Sequence, residues 1–226
     1  MKLVHPDFFF PIEFRENYME TIVVESPRIL SQCLEELRRQ IDGIGEGQWV
    51  LSEQAEALDI KKVCCLLMDP FSVDLNNKRM LAGLYAAIEK GIISTDLLTV
   101  WNRTYPELLE IMEKLIDAVD YELVFTDDIA IKDFLKFMSV RYEDANNNFF
   151  ERLLDYMRLA HDVLKTRLFI LVNGKTFLTM EQLRFLYKQS CYEKYQLLLF
   201  EARDSIESRL EGERVTIIDQ DACVIR

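Results

Sequence analysis

The stretch Arg167–Thr179, RLFILVNGKTFLT, decides the fold. Leu168 to Val172 are successive apolar residues with no polar alternation. Such a run, bounded by turn residues, reads as a strand covered on both faces, as in a parallel sheet flanked by helices. Asn173 and Gly174 stop it. Leu178 to Tyr187 then carries helical spacing, and Leu197 to Phe200 supplies a second short apolar run. Strand, crossover helix and parallel strand is the economical reading.

The same stretch contains Gly174-Lys175-Thr176, the tail of a phosphate-binding loop. A working loop needs a further glycine five residues earlier, so that backbone N–H groups can curl around phosphates. That position is Phe169, inside the strand, and the next helix is expected from near Thr179. The three residues read as a plain strand-to-helix loop, and no nucleotide is expected.

The chain has 226 residues, half of them hydrophobic, which is enough for one large domain or two small ones and excludes global disorder. Pro6, Asp7 and Pro11 break the opening apolar stretch, which is neither a secretory signal nor a membrane span. Cys33, Cys64, Cys65, Cys191 and Cys223 include no CxxC pair and are expected as reduced, buried thiols of a cytoplasmic protein. His5 and His161 lie beside no Cys or Asp cluster of ligand spacing, which argues against zinc and for a solvated or capping role for each. A net charge of −12 disfavours broad non-specific nucleic-acid binding but leaves room for a local basic surface.

Leu3 to Phe14 and Glu20 to Val24 are expected as two strands with Glu16 and Asn17 at the turn between them. Ser26-Pro27 opens an amphipathic helix with Ile29, Leu30, Cys33, Leu34, Leu37 and Ile41 on one face. The glycine-alternating segment 42–47 is a loop, and Gln48 to Leu51 and Val63 to Met68 are further strands. From Leu75 to Leu164 the chain reads as helix after helix. The expected class is therefore α/β, with residues 1–70 and 167–226 forming a split head and residues 71–166 an all-helical insertion, or leg.

Asn76 and Asn77 start the first helix of the insertion, which is expected to end at Gly91. Ser94 and Thr95 start the second, whose Leu98, Trp101, Tyr105, Leu108, Met112, Leu115 and Val119 form a heptad seam interrupted by Pro106. Thr126, Asp127 and Asp128 cap a third helix with Ile131, Phe134, Leu135 and Met138 inward. Asn146 to Asn148 cap a fourth, with Phe149, Leu153, Met157, Ala160 and Leu164 along one side. Asp117, Asp120, Glu122, Asp127 and Asp128 crowd one turn, where calcium would find oxygens, but the spacing is not that of an EF-hand and a solvated acidic turn with helix capping is the better account. Lys132, Lys136, Arg141, Arg152, Arg158, Lys165 and Arg167 recur along the last two helices and the strand entrance, and could line one face or be solvated surface.

The runs LFILVNGKTFLT, QLLLFEARDS and VTIIDQDACVI together resemble the end of the CRISPR-associated type II-A accessory family, Csn-two. LLMDPFSVDLNN, with Asp69, Asp74 and Asn76, is similar to a family strand that ends in Asp and reaches a second Asp and then Asn. TDDIAIKDFLKFMSVRYED and FFERLLDYMRLAHDVLK match in length and apolar spacing, so the likeness runs through nearly the whole chain in order. The glycine-rich loop and Pro106 depart from it, which marks a divergent member.

The resemblance implies an α/β head like a nucleotide hydrolase without its phosphate motifs, a helical leg, and a homotetrameric ring around double-stranded DNA that binds its ends. It implies calcium near subunit contacts, no catalytic activity, and a part in spacer acquisition with the Cas-one and Cas-two integrase and the Cas-nine nuclease. Of the acidic residues, Asp127 and Asp128 fall on family positions. Of the basic ones, Lys136, Arg141, Arg152, Lys165 and Arg167 do so, and Lys132 and Arg158 complete the candidate DNA contacts. A nucleotide-binding or hydrolysing protein and a structural interaction module are the competing readings.

Overall fold

The computed structural model describes residues 1–8, 10–93, 96–143, 148–204 and 209–225. The chain is mixed α/β and divides into two compact units, Met1–Leu75 together with Asp144–Arg226, and Asn76–Glu143.

The first unit is built on a six-stranded sheet. β9 (Glu213–Ile218), β3 (Met19–Val24), β8 (Gln196–Glu201), β7 (Leu168–Val172) and β6 (Cys64–Leu67) lie side by side in that order, all parallel. β10 (Val224–Ile225) joins β9 antiparallel at one margin. All of β3 and β7 and nearly all of β8 are buried, which is why β7 and residues 197–200 of β8 read as unbroken apolar runs, while β3 also buries Glu20 and Thr21. The parallel register of Leu168 to Val172 on Gln196 to Phe200 is the strand pairing expected from Arg167–Thr179.

A second, antiparallel sheet contains β1 (Lys2–Val4), β2 (Ile12–Glu13), β4 (Val50–Glu53) and β5 (Glu56–Leu58) in the order β2, β1, β4, β5. The expected single strand from Leu3 to Phe14 is thus two short ones, because the segment holding Pro6 and Pro11 cannot donate a continuous ladder. Neither pairs with β3. Asn17, at φ 60°, turns the chain from one sheet to the other instead of closing a hairpin.

Helix α1 (Pro27–Asp42) buries Cys33, Leu34 and Leu37 in a core shared by both sheets, with Phe8, Phe10, Trp49, Ile170 and Phe200. The Trp49 ring meets Phe8 edge-on at 5.3 Å, and its indole N–H donates to the Cys33 carbonyl at 3.1 Å. Each such fully buried large side chain contributes about 1.5–3 kcal/mol. After the short α2 (Ile60–Val63), the chain returns to this unit in α6 (Phe149–Leu164), capped by the Asn148 side chain on the Phe150 N–H. Asn146 and Asn147, also expected as caps, lie outside the described residues. Leu153, Met157 and Ala160 of α6 are essentially inaccessible, and its Tyr156 hydroxyl contacts Cys65 at 3.8 Å. That burial groups α6 with the α/β unit, whereas the sequence placed it in the leg. α7 (Gly174–Phe177) is one helical turn that the sequence reading missed, and α8 (Met180–Glu193) begins at a Thr179–Gln182 capping box.

The second unit holds α3 (Lys78–Ile93), α4 (Leu97–Asp117) and α5 (Ile131–Phe137). The Asn77 side chain accepts from the Arg79 and Met80 N–H groups at the start of α3. Gly91 does not end this helix, which continues to Ile93, and Ser94 and Thr95 lie outside the described residues. α4 runs through Pro106, and its seam is only partly covered: Trp101 stacks on Tyr105 and meets Phe134, while Leu108, Met112, Leu115 and Val119 are exposed. Among the described residues, no helix is long and apolar enough to cross a membrane.

Candidate nucleic-acid interface

At the carboxyl ends of β7 and β8, where open parallel sheets hold ligands, Gly174-Lys175-Thr176 is occupied by the protein itself. The Lys175 backbone N–H donates to Glu201 Oε1 at 3.0 Å, so an internal carboxylate sits where a phosphate would be cradled. Lys175 Nζ turns inward onto Glu213 Oε1 at 2.6 Å, in a pair whose side chains are 6% and 0% exposed. Thr21 Oγ1 donates to the same oxygen at 2.6 Å, and Glu213 Oε2 accepts the Leu210 N–H. Burial pushes the Glu201 carboxyl up to about 7, against the opposing pull of the Lys175 N–H and charge. Asn173, at φ 53°, places its side-chain oxygen on the Ala202 N–H at 3.1 Å and ties the two strand ends together.

The candidate cations fall into two groups. In the helical unit, Lys132 and Lys136 are exposed and four residues apart on α5, with Ile131 buried on the opposite side. Lys136 also pairs with Asp133 at 2.9 Å and holds that carboxyl below its usual range. Arg141 is projected by a pinned backbone. The Val140 carbonyl accepts from Tyr85 Oη at 2.7 Å, and Tyr142 is held by the Asn76 side chain through its N–H at 2.9 Å and its carbonyl at 3.0 Å. Arg141 itself is exposed.

In the α/β unit the basic residues are tied to local acceptors. Arg152 is half-buried and donates to the Phe71 carbonyl at 3.2 Å, and Arg158 pairs with Asp155 at 3.1 Å. Lys165, left-handed at φ 59°, closes α6 and donates to the Asp162 carbonyl at 2.7 Å. Arg167 reaches both Glu53 oxygens, at 2.7 and 2.9 Å, and this hydrogen bonding lowers the Glu53 pKa. Arg158 and Lys165 share a face of α6 with Glu151, Asp155 and Asp162, so that face is a mixed ladder of charge. Lys132, Lys136 and Arg141 are thus the exposed candidate cations of the helical unit, and Lys136, like Arg158, has a carboxylate partner three residues away on its own helix.

The acidic turn is not a cation cage. Asp117, Asp120, Glu122, Asp127 and Asp128 are all exposed, and no three of them converge on one point among the described residues. Asp127 and Asp128 also do not cap α5. The segment before that helix is organised by Tyr105, whose hydroxyl donates to the Asp127 carbonyl and accepts from the Ile129 N–H, both at 2.8 Å. The helix begins after Ala130, with no side-chain cap. This arrangement does not fit calcium within the single chain.

His161 Nδ1 lies 2.7 Å from the Thr166 carbonyl, which is beyond the end of α6. His5 is buried, contrary to expectation, and Cys223 is exposed. No curated protein matches the chain. A family model described as CRISPR-associated protein (Cas_Csn2) matches residues 40–222, which span both units. With the split α/β unit, the helical insertion and the filled phosphate position already in view, the match decides the relationship: the chain belongs to the Csn-two family of CRISPR-associated proteins.

Proposed function

We propose that this CRISPR-associated chain is a non-catalytic clamp for the ends of double-stranded DNA that acts during spacer acquisition in the cytoplasm. Four copies close into a ring in which Lys132, Lys136 and Arg141 screen backbone phosphates without reading bases. Its partners are the Cas-one and Cas-two integrase and the Cas-nine nuclease.

The observation that carries the reading is the exposed group Lys132, Lys136 and Arg141 on a chain of net charge −12. Acidic surface elsewhere keeps such an assembly soluble while its inner field stays positive. The inward-turned Lys175 and the Glu201 carboxylate on its N–H support the absence of nucleotide chemistry.

The test is retention of linear against closed circular duplex, with mass in solution measured alongside, with calcium and with chelator. Linear DNA is expected to be held preferentially. Each engaged cation should contribute about 0.9 to the slope of log affinity against log salt. Reversing Lys132, Lys136 and Arg141 to Glu should abolish retention and leave the mass unchanged. Equal retention of closed circles, indifference to the triple reversal, or tight ATP binding would overturn the proposal.

A further inference from the structure

We propose that His5, Asp7 and Cys33 form a binding site for a thiophilic divalent ion of the zinc class. All three precede the segment that matches the family model. The sequence argued against such a site because neither histidine lies beside a Cys or Asp cluster of ligand spacing. The turn after β1 and the buried face of α1 bring them together, so that one ligand atom from each lies within 4.8 Å of the others. Ligand atoms around a tetrahedral zinc stand roughly 3.3–3.8 Å apart, a contraction within reach of side-chain adjustment.

A buried histidine with two hydrogen bonds is by itself an ordinary core residue. What distinguishes His5 is which nitrogen is held by what. Its side chain is 2% exposed, and Nε2 lies 3.3 Å from Glu36 Oε2. Nδ1 accepts the Asp7 N–H at 3.2 Å, so the ring proton belongs on Nε2 and is directed at the Glu36 carboxylate. A carboxylate behind one ring nitrogen is the outer-sphere arrangement that orients metal-binding histidines, and it leaves Nδ1 as the nitrogen for an ion. An Asp7 carboxylate oxygen already stands 3.8 Å from Nδ1.

The ring is further fixed against Trp49, at 4.6 Å, and Phe8, at 5.8 Å. Glu36 also accepts the Gln48 N–H, so its orientation is set independently. Asp7 is the exposed member, with its side chain 66% accessible, and it borders a hollow lined by Glu35, Glu36 and Glu46 together with Arg39, so carboxylates outnumber the one guanidinium. A cation has both an approach and an attractive field. Binding exchanges the Asp7 N–H contact for the metal and releases the Cys33 thiol proton to solvent. Without an ion, burial holds that thiol protonated, pushed up to about 12. Water completes the coordination, as the protein supplies three donors.

The test uses the full chain stripped with chelator and titrated with cobalt(II), followed by zinc. A thiolate-to-cobalt charge-transfer band with tetrahedral ligand-field absorption is expected. Zinc should displace both and raise the melting temperature. Cys33→Ser should lose the charge-transfer band. Asp7→Asn, a surface change that leaves the core untouched, should weaken cobalt binding by more than the roughly 10- to 100-fold cost of losing an outer-sphere partner. No thiolate band in the wild type under excess cobalt, or an Asp7→Asn titration superimposable on it, would overturn the site.

Discussion

Replacing Glu201 by Gln tests the buried carboxylate beside Lys175 directly. The folded-state pKa of Glu201 is raised from 4.5 to about 7, chiefly by desolvation, so the native state binds this proton more tightly than the unfolded chain. Stability from this group is therefore fully present below about 4.5 and falls as pH rises toward 7. Above that window the ionised carboxylate costs the native state roughly 3 kcal/mol, the free-energy equivalent of the shift. Gln keeps an acceptor for the Lys175 N–H and removes the charge. Urea denaturation of both proteins at pH 5 and pH 8 isolates the effect, since all other titrating groups are shared. The wild type should lose roughly 2–3 kcal/mol more than the variant between these pH values. A stability difference that does not change with pH would refute the reasoning.

Lys175→Met strands Glu213 at 0% exposure without its cation and should cost about 3–5 kcal/mol in urea denaturation; a loss of well under 1 kcal/mol would mean that Lys175 is free for another ligand. Leu153→Ala, at the inaccessible face of α6, should cost about 2–5 kcal/mol by the same measurement, and a near-neutral result would detach α6 from the α/β core. Tyr105→Phe removes the hydroxyl that bridges Asp127 and Ile129, so amide exchange should accelerate at Ile129 with a change of about 1 kcal/mol in overall stability.

What could be read from the chain was what local pattern determines. Leu168–Val172 and Leu197–Phe200 are buried on both faces, and that condition shows as uninterrupted apolar sequence. The three-and-four spacing of Cys33, Leu34 and Leu37 is likewise a one-helix property. β5 escaped notice because its hairpin turns on Gln54 and Ala55, at φ 49° and 68°, instead of the usual Asn-Gly or Asp-Gly. Gly91 carries a stop signal that the continuing helix overrides. The site residues were less legible, for a different reason. The basic spacing was visible, but the partners that engage Arg167 and Lys175 are Glu53 and Glu213, brought in by other strands. The His5–Cys33 approach likewise depends on α1 packing against the turn after β1, which no spacing rule encodes.

Asn76 has a consequence for how the chain assembles. Its side chain grips both backbone groups of Tyr142, so the two ends of the helical unit are stapled like the neck of a drawstring bag. β6 and β7 must pair across an excursion of about 100 residues, and the staple bypasses most of it, which lowers the ring-closure entropy of that pairing by about 1 kcal/mol. Once the helical unit has formed, it brings its two flanks together for β6 and β7 and so works as a built-in guide for sheet assembly.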